Sequence, residues 1–288
     1  MASPTLATPV SSPLLVTARP RQWIKNVLVF AAPLAAGVLV VPASFVALVA
    51  FVLASAATYF VNDAVDVEAD RRHPVKSRRP IASGAISVRT GWLSGLGLMA
   101  ATLAVALLAG LALFGCVAAY LALTFAYSRR LKRIAVVDIL AVAGGFLLRT
   151  VGGAVAAGVA MSSWFLLTAL LGSLFLVTGK RLSELRRDGG GRAVLAAYSV
   201  PWLQQTLTMT LTGTIIAYAC WAFDFSGDAS LPLLGLSLVP FLAGLMRYSL
   251  LVARGDGEAP EDLLASDRFL LVSGFAWGAM ATAAIYFG

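Results

Sequence analysis

A chain of 288 residues that is 59% hydrophobic, 12% charged and of mean hydropathy +0.86 lies outside the range of a soluble domain and reads as a multispan membrane protein. Its two cysteines, Cys116 and Cys220, sit within apolar runs without metal-ligand spacing, which excludes a disulfide framework and a zinc site. The net charge of +8 suits a polyanion or anionic lipid; in so apolar a chain the bilayer is the expected partner and nucleic acid is not.

The first thirteen residues, MASPTLATPVSSP, lack the positive start of a signal peptide and are expected to form a disordered cytoplasmic tail, with nothing cleaved. Residues 14–288 are expected to form a single all-α catalytic domain of nine transmembrane helices. The spans fall at about 23–41, 43–61, 89–108, 110–127, 136–156, 163–180, 203–223, 231–250 and 269–287. All but one of the 22 basic residues lie before span one or after spans two, four, six and eight; the exception, Arg149, is inside span five. The alternate loops, such as VVPAS at 41–45 and AGVAMSS at 157–163, hold none. The positive-inside rule then puts the amino terminus and the charged loops on the cytoplasmic side of the plasma membrane, and the carboxyl terminus outside.

The entry segment RPRQWIKN, at 19–26, brings three cations and an indole to the start of span one. Interfacial anchoring explains that composition; the functional alternative has Arg21, Lys25 and Asn26 facing the next acidic stretch and binding phosphate. Span two runs into NDAVDVEADRRHPVKSRRP, Asn62 to Pro80, in which four carboxylates precede five Arg and Lys. At about 100° per residue, Asp66, Asp70 and Asp63 fall at about 40°, 80° and 100° from Asn62, and Glu68 at about 240°. Three carboxylates and an amide on one quarter of a helix repel one another unless a cation lies among them, and an oxygen-only set suits Mg2+. Because Mg2+ completes its shell with substrate phosphate, a phosphorylated ligand is expected. Lys76, Arg78 and Arg79, in a loop broken by Pro74 and Pro80, are expected to form a rim that neutralises the remaining phosphate oxygens. His73 is expected to be an ordinary loop residue.

Span four ends in YSRRLKR, Tyr127 to Arg133, and Asp138 follows just inside span five. Helices two and four would thus present an acidic and a basic patch across one cavity. Asp138, Gly145, Arg149 and Gly152 lie within about 40° of one line on a helix. Such a stripe is expected to face a cavity, since an intramembrane arginine costs at least ~2.5 kcal/mol. Asp138 and Arg149 are about 16 Å apart along a regular helix and cannot pair directly. Span six runs out into Lys180, Arg181, Glu184 and Arg187, either a third wall of the site or a solvated face, followed by a flexible DGGGR turn at 188–192. Spans seven and eight look like scaffold, and the outer loop from Asp224 to Ser230 is short and acidic. The last charged loop, Arg254 to Arg268, lacks the acidic grouping of the first cluster. No Walker-type or Rossmann glycine fingerprint is present.

NDAVDVEAD at 62–70, followed by Arg72, Lys76, Arg79 and Pro80, resembles NDxxDxxxD, the first motif of the UbiA superfamily of intramembrane prenyltransferases. The resemblance covers nearly the whole chain. It implies a UbiA-like nine-helix bundle with its site at the cytoplasmic helix ends, and a Mg2+-diphosphate motif in Asp63, Asp66 and Asp70, completed by Asn62. Aromatic prenyltransferases of the superfamily usually carry a second motif, DxxxD, for another Mg2+; here Asp138 is followed four residues on by Val142. With RPRQWIKN, YSRRLK, the VVDI and GGFLLR stretch and SLFLVTGKRLSEL, that departure is similar to the actinobacterial, phosphoribosyl-transferring branch. The branch implies a pentosyltransferase that moves 5-phosphoribosyl from phosphoribosyl diphosphate (PRPP) to decaprenyl or another polyprenyl phosphate, for the arabinan donor of the cell wall. Tyr127, Lys132 and Asp138 match its second motif and count as catalytic with the three aspartates. On physical grounds Lys25, Arg149, Lys180 and Arg181 join Asn62, Lys76, Arg78 and Arg79 as substrate-binding residues.

PRPP carries a diphosphate and a separate 5-phosphate, and the acceptor adds another phosphate, so one cavity must hold three phosphate centres. One acidic motif with surplus Arg and Lys suits that load better than a prenyl diphosphate beside a neutral aromatic ring. The nucleophile is already an anion, so no catalytic histidine or cysteine is required. Two alternatives are a UbiA-type transfer of a polyprenyl group from its diphosphate to an aromatic acceptor, and a Mg2+-dependent transporter of a phosphorylated solute. Transport needs a pathway open to both faces, whereas all carboxylates but Asp224 and Asp228 lie in or beside the cytoplasmic half. Homo-oligomerisation stays open.

Overall fold

The computed structural model describes residues 12–38, 42–188, 192–226, 233–257 and 259–287. The expectations for the tail at 1–11, the glycines at 189–191 and the outer loop at 227–230 lie outside the described residues. Pro13, expected in the tail, instead opens helix α1, Pro13–Ala18, in whose first turn a missing N–H removes no hydrogen bond.

A 3-10 stretch, Pro20–Phe30, leads into α2, Ala31–Ala35. Then come α3, Pro42–Val65, and the short α4, Val67–Arg72. Helices α5, Val88–Leu108, α6, Leu111–Arg129, α7, Val137–Ala157, and α8, Ser163–Asp188, follow in turn. The chain ends with α9, Val200–Ser226, α10, Leu233–Leu236, α11, Leu238–Arg254, α12, Pro260–Ser266, and α13, Arg268–Phe287. All regular elements among the described residues are helical, as expected. Among the described residues eight segments are long and apolar enough to cross a membrane, α10 and α11 counting as one. They follow predicted spans two to nine, with α8 running on past its expected end.

Over the first predicted span, 23–41, of which 39–41 lie outside the described residues, the chain forms the 3-10 stretch and α2 rather than one long α-helix. Pro33 cannot donate to the carbonyl four residues back, that of Val29. That carbonyl instead lies so close to α7 that a Cβ on Gly153 would meet it at 1.7 Å, and only glycine permits the approach. At about 2.0 Å per residue in the 3-10 stretch and about 1.5 Å in α2, the segment still extends about 30 Å.

Helices α3 and α7 are the most enclosed of the eight. Ala47, Ala50, Phe51 and Ala54 bury one face of α3 completely, and small residues let neighbouring backbones close in. These two inner helices also carry Asp63, Asp138 and Arg149, all buried. Charge is therefore placed where bulk water cannot satisfy it.

Candidate active site

Helix α3 stops at Val65, Asp66 has φ −89° and ψ 8°, and α4 begins at Val67. Two amide bonds carry the ladder across this joint, Asp66 N to Asn62 O at 2.9 Å and Asp70 N to Asp66 O at 2.8 Å. Asp63 and Asp70 therefore keep a common side and are 2% and 3% exposed. Arg79 Nη1 donates to both, at 3.1 Å to Asp63 Oδ1 and 2.7 Å to Asp70 Oδ2, and Arg19 Nη2 reaches Asp63 Oδ1 at 2.6 Å. Asp66, half exposed, instead accepts from Lys132 Nζ at 3.3 Å. Glu68 points to solvent and pairs with Arg71 at 2.8 Å.

Among the described residues no three His, Cys, Asp or Glu side chains gather around a metal position. Asp63 and Asp70 form a close pair, and Asp66 stands beside it, because the one-residue joint aims Asp66 at Lys132. The pair still fits a hard divalent cation. Two carboxylate oxygens on successive helices already converge on one positively charged atom, Arg79 Nη1, and the donor set is the all-oxygen kind that Mg2+ selects.

A second cluster centres on Asp138, which is fully buried. Arg181 Nε donates to its Oδ2 at 2.7 Å, and the Tyr198 hydroxyl donates to Oδ1. Each carboxylate oxygen thus has a protein donor, and Asp138, expected among the catalytic residues, is held between Arg181 and Tyr198. A carboxylate so desolvated persists only when its partners are this complete. Arg181, 2% exposed, goes on to Glu184 Oε2 at 2.8 Å and Tyr127 Oη at 3.1 Å. Expected to bind substrate, it directs all three of its guanidinium nitrogens to protein acceptors here. Arg192, more exposed, reaches Tyr127 Oη at 3.3 Å and Glu184 at 3.4 Å. Tyr127 accepts from two guanidinium groups and keeps its own O–H for another acceptor. Burial foremost, and then the bond to Asp138, hold the Tyr198 phenol well above its ordinary range. Tyr198 Oη also accepts from Val136 N at 2.6 Å. Val136 has φ 69°, a strained conformation for a β-branched residue, and Tyr198 holds it there.

Tyr127, Lys132 and the Asp63–Asp70 pair thus stand at one end of the bundle, where α3, α4, α6, α7 and α8 present their charged ends. The sequence profile of the UbiA prenyltransferase family matches residues 26–284. This chain belongs to the UbiA prenyltransferase family. It is 42% identical to the decaprenyl-phosphate phosphoribosyltransferase of Corynebacterium glutamicum, over 93% of this chain and 85% of that one. It is 40% identical to the protein of the same name from Mycobacterium tuberculosis, over 94% of this chain and 93% of that one. A solved UbiA homolog from Archaeoglobus fulgidus, bound to DMAPP and Mg2+, superposes with a TM-score of 0.74 at 21% identity, covering 95% of this chain and 99% of that chain. That likeness establishes the fold.

Several other sequence candidates of this UbiA-family transferase lie elsewhere or stand free. Arg149 is absorbed by neutral acceptors, Asn26 Oδ1 at 2.7 Å, Tyr120 Oη at 2.8 Å, Gly145 O at 2.8 Å and Ser55 Oγ at 3.2 Å. It also lies 4.6 Å from the Tyr120 ring centre. Expected to bind substrate, it ties the entry segment to α3, α6 and α7, and its filled donors are what make a buried guanidinium tolerable. Asn26 goes with it. Lys25 faces Glu261 at 3.2 Å rather than the acidic helices, and Gln22 Nε2 adds a bond to the same carboxylate at 3.0 Å. Lys76 and Arg78 are exposed on a 3-10 turn, and partly buried Lys180 precedes Arg181; none of the three has an ion pair among the described residues. Asn62 is partly buried beside Thr58 and Thr124.

Sequence reasoning missed Arg19, Arg192, Tyr198 and Glu261 as participants. Arg19 was legible only as an interfacial anchor, and Tyr198 follows a glycine-rich turn with no periodic signal. Glu261 sits in an acidic loop without metal-ligand spacing. Each acquires its role from a partner far away in sequence.

Proposed function

We propose that this transferase moves 5-phosphoribosyl from PRPP to a polyprenyl phosphate of decaprenyl type and releases diphosphate, at the cytoplasmic face of the membrane. Asp138 is the observation that carries the reading. Each of its oxygens accepts from a protein donor, Arg181 or Tyr198, which supports a second acidic position that orients a cation rather than one that binds another metal. What remains is one acidic group among Arg19, Arg79, Lys132, Lys180 and Arg192, a balance suited to three phosphate centres. The names of the relatives at 40–42% identity support the same substrate pair.

Asp63 and Asp70, with Asp66, would hold Mg2+, which when bound supplies charge neutralisation to the leaving diphosphate. Arg19 and Arg79 keep the two buried carboxylates aligned and offer guanidinium donors to phosphate oxygens beside them. Lys132, tethered to Asp66, and the free O–H of Tyr127 orient the acceptor phosphate. The ribose C1–O bond to diphosphate breaks as positive charge develops at C1, and an oxygen of the lipid phosphate forms the new C1–O bond. The attacking oxygen carries no proton, so no side chain acts as base.

The test is incubation of the purified protein with Mg2+, labelled PRPP and polyprenyl phosphate. Labelled phosphoribosyl lipid and diphosphate in equal amounts are expected. Absence of labelled lipid, with prenylation of an aromatic acid from a polyprenyl diphosphate instead, would overturn the reading.

A further inference from the structure

Helix α12 has no buried residue, and Leu263 is the side chain it packs against the apolar core. Its flanks are fastened. Gly257 N donates to Ser183 Oγ at 3.0 Å, where a Cβ would meet that oxygen at 2.6 Å, and Asp267 pairs with Arg247 at 2.7 Å. Gly255, ahead of the helix, has φ 98°, which glycine adopts freely. Between these fastenings the side chain that grips the entry stretch is Glu261, held by Lys25 Nζ at 3.2 Å and Gln22 Nε2 at 3.0 Å. Its carboxylate faces the acid pair. It acts electrostatically on Tyr59 of α3, and the Arg19 guanidinium lies 4.5 Å from the centre of that ring while bonding Asp63. Lys25 in turn acts on Lys180, together with Arg181 and Arg192. Arg181 and Arg192 already share Glu184. Among the described residues that leaves Lys180 without an ion pair and Lys25 with Glu261 as its one carboxylate.

We propose that the Glu261 carboxylate is a stand-in for a phosphate of PRPP: it closes α12 over Lys25 in the free protein, and the incoming phosphate takes its place beside Lys25 and Lys180 and releases the helix. The proposal rests on the transferase reading above. Two observations favour an exchange of anions over a permanent brace. Lys25 and Glu261 are 24% and 16% exposed, and a pair of single charges open to water contributes little. The cations also outnumber the acids, since Lys25, Lys180, Arg181 and Arg192 face Glu184 and Glu261. More negative charge completes the cluster. A phosphate brings about two charges and three acceptor oxygens to donors that a carboxylate supplies with one charge. PRPP is the occupant that accounts for the location, because it arrives from water, to which the latch is open.

Hydrogen exchange over 259–266, with the full chain in lipid nanodiscs, reads the helix directly. With Mg2+ present, PRPP without acceptor is expected to lower protection to the level of Glu261→Gln, and to change that variant no further. Inorganic phosphate or decaprenyl phosphate at the same concentration is expected to leave the segment closed. Protection unchanged or raised by PRPP, or release by either of the other phosphates alone, overturns the proposal. Transfer kinetics give a second measurement, made on variants whose melting curves show them folded. Glu261→Gln is expected to lower the KM for PRPP about threefold with kcat within about twofold, and Lys25→Met to raise that KM about tenfold. A permanent brace would leave both KM values unchanged or raise both, and either result overturns the exchange. An unaltered protein that neither binds nor consumes PRPP would sink the transferase reading, and this proposal with it, whereas normal transfer with α12 closed throughout would sink the exchange alone.

Discussion

Asp66 stands at the joint between α3 and α4 with its side chain 39% exposed and Lys132 beside it, while Glu68 two residues on meets only the exposed Arg71. An exposed pair of that kind contributes little. Asp66→Ala is therefore expected to lower Mg2+-dependent transfer by about 100-fold without changing thermal stability, and Glu68→Ala to stay within about twofold. Equal losses, measured by the labelled-lipid assay beside a melting curve, would show that the helical placement of these acids is wrong. Asp138 belongs to the opposite kind. Removing one member of its fully buried pair with Arg181 strands the other, so Asp138→Ala should destabilise the protein by about 3–5 kcal/mol. Tyr198→Phe takes the hydroxyl from both Val136 N and Asp138 and should cost about 1–3 kcal/mol, read from denaturant or thermal unfolding in detergent. Unchanged stability in Tyr198→Phe would mean that neither bond matters. The phase of Asp63 and Asp70 was legible from spacing alone because helix geometry is local. The occupancy of Asp138 was not, because its partners lie 43 and 60 residues away.

The segment from Arg254 to Arg268 looked inert in sequence, yet α12 within it closes over the entry stretch. Gly257 N donates to Ser183 Oγ at 3.0 Å, and Glu261 joins Lys25 and Gln22. Burial works to raise the Glu261 carboxyl, but the nearby Lys25 ammonium and the hydrogen bonds outweigh it and leave it below its ordinary value of 4.5. A depressed carboxyl stabilises the fold above its unfolded value, and the contribution disappears as pH falls through the folded one. The clasp should thus hold at neutral pH and loosen below about pH 4.5. Hydrogen exchange over 259–266, corrected for intrinsic rates, should show protection at neutral pH that Glu261→Gln lacks, and no difference between the two proteins once acid has neutralised the carboxylate. Equal protection at neutral pH would remove the clasp. The first predicted span differs from expectation at this same scale. Hydropathy reads its length correctly but not its pitch, which Pro33 and the contact at Gly153 determine.

At the scale of the molecule, the eight apolar helices among the described residues and the confinement of nearly all cations to alternate loops define one charged end. In a background lacking Cys116 and Cys220, Arg72→Cys should react with an impermeant maleimide in inverted membrane vesicles and Ala160→Cys only in right-side-out cells. The reverse pattern would invert the proposed orientation. The sequence alone determined the membrane class, the order and extent of the long helices, and the acidic motif, since each follows from hydrophobic length, residue spacing or charge within a short window. Tertiary structure alone decided which cations hold which acids, that Asp138 and Arg181 are bound inward, and that Arg149 is a fastener between helices. Those outcomes depend on which helix faces come together. Desolvation then makes an ion pair between distant residues obligatory where no periodicity announces it.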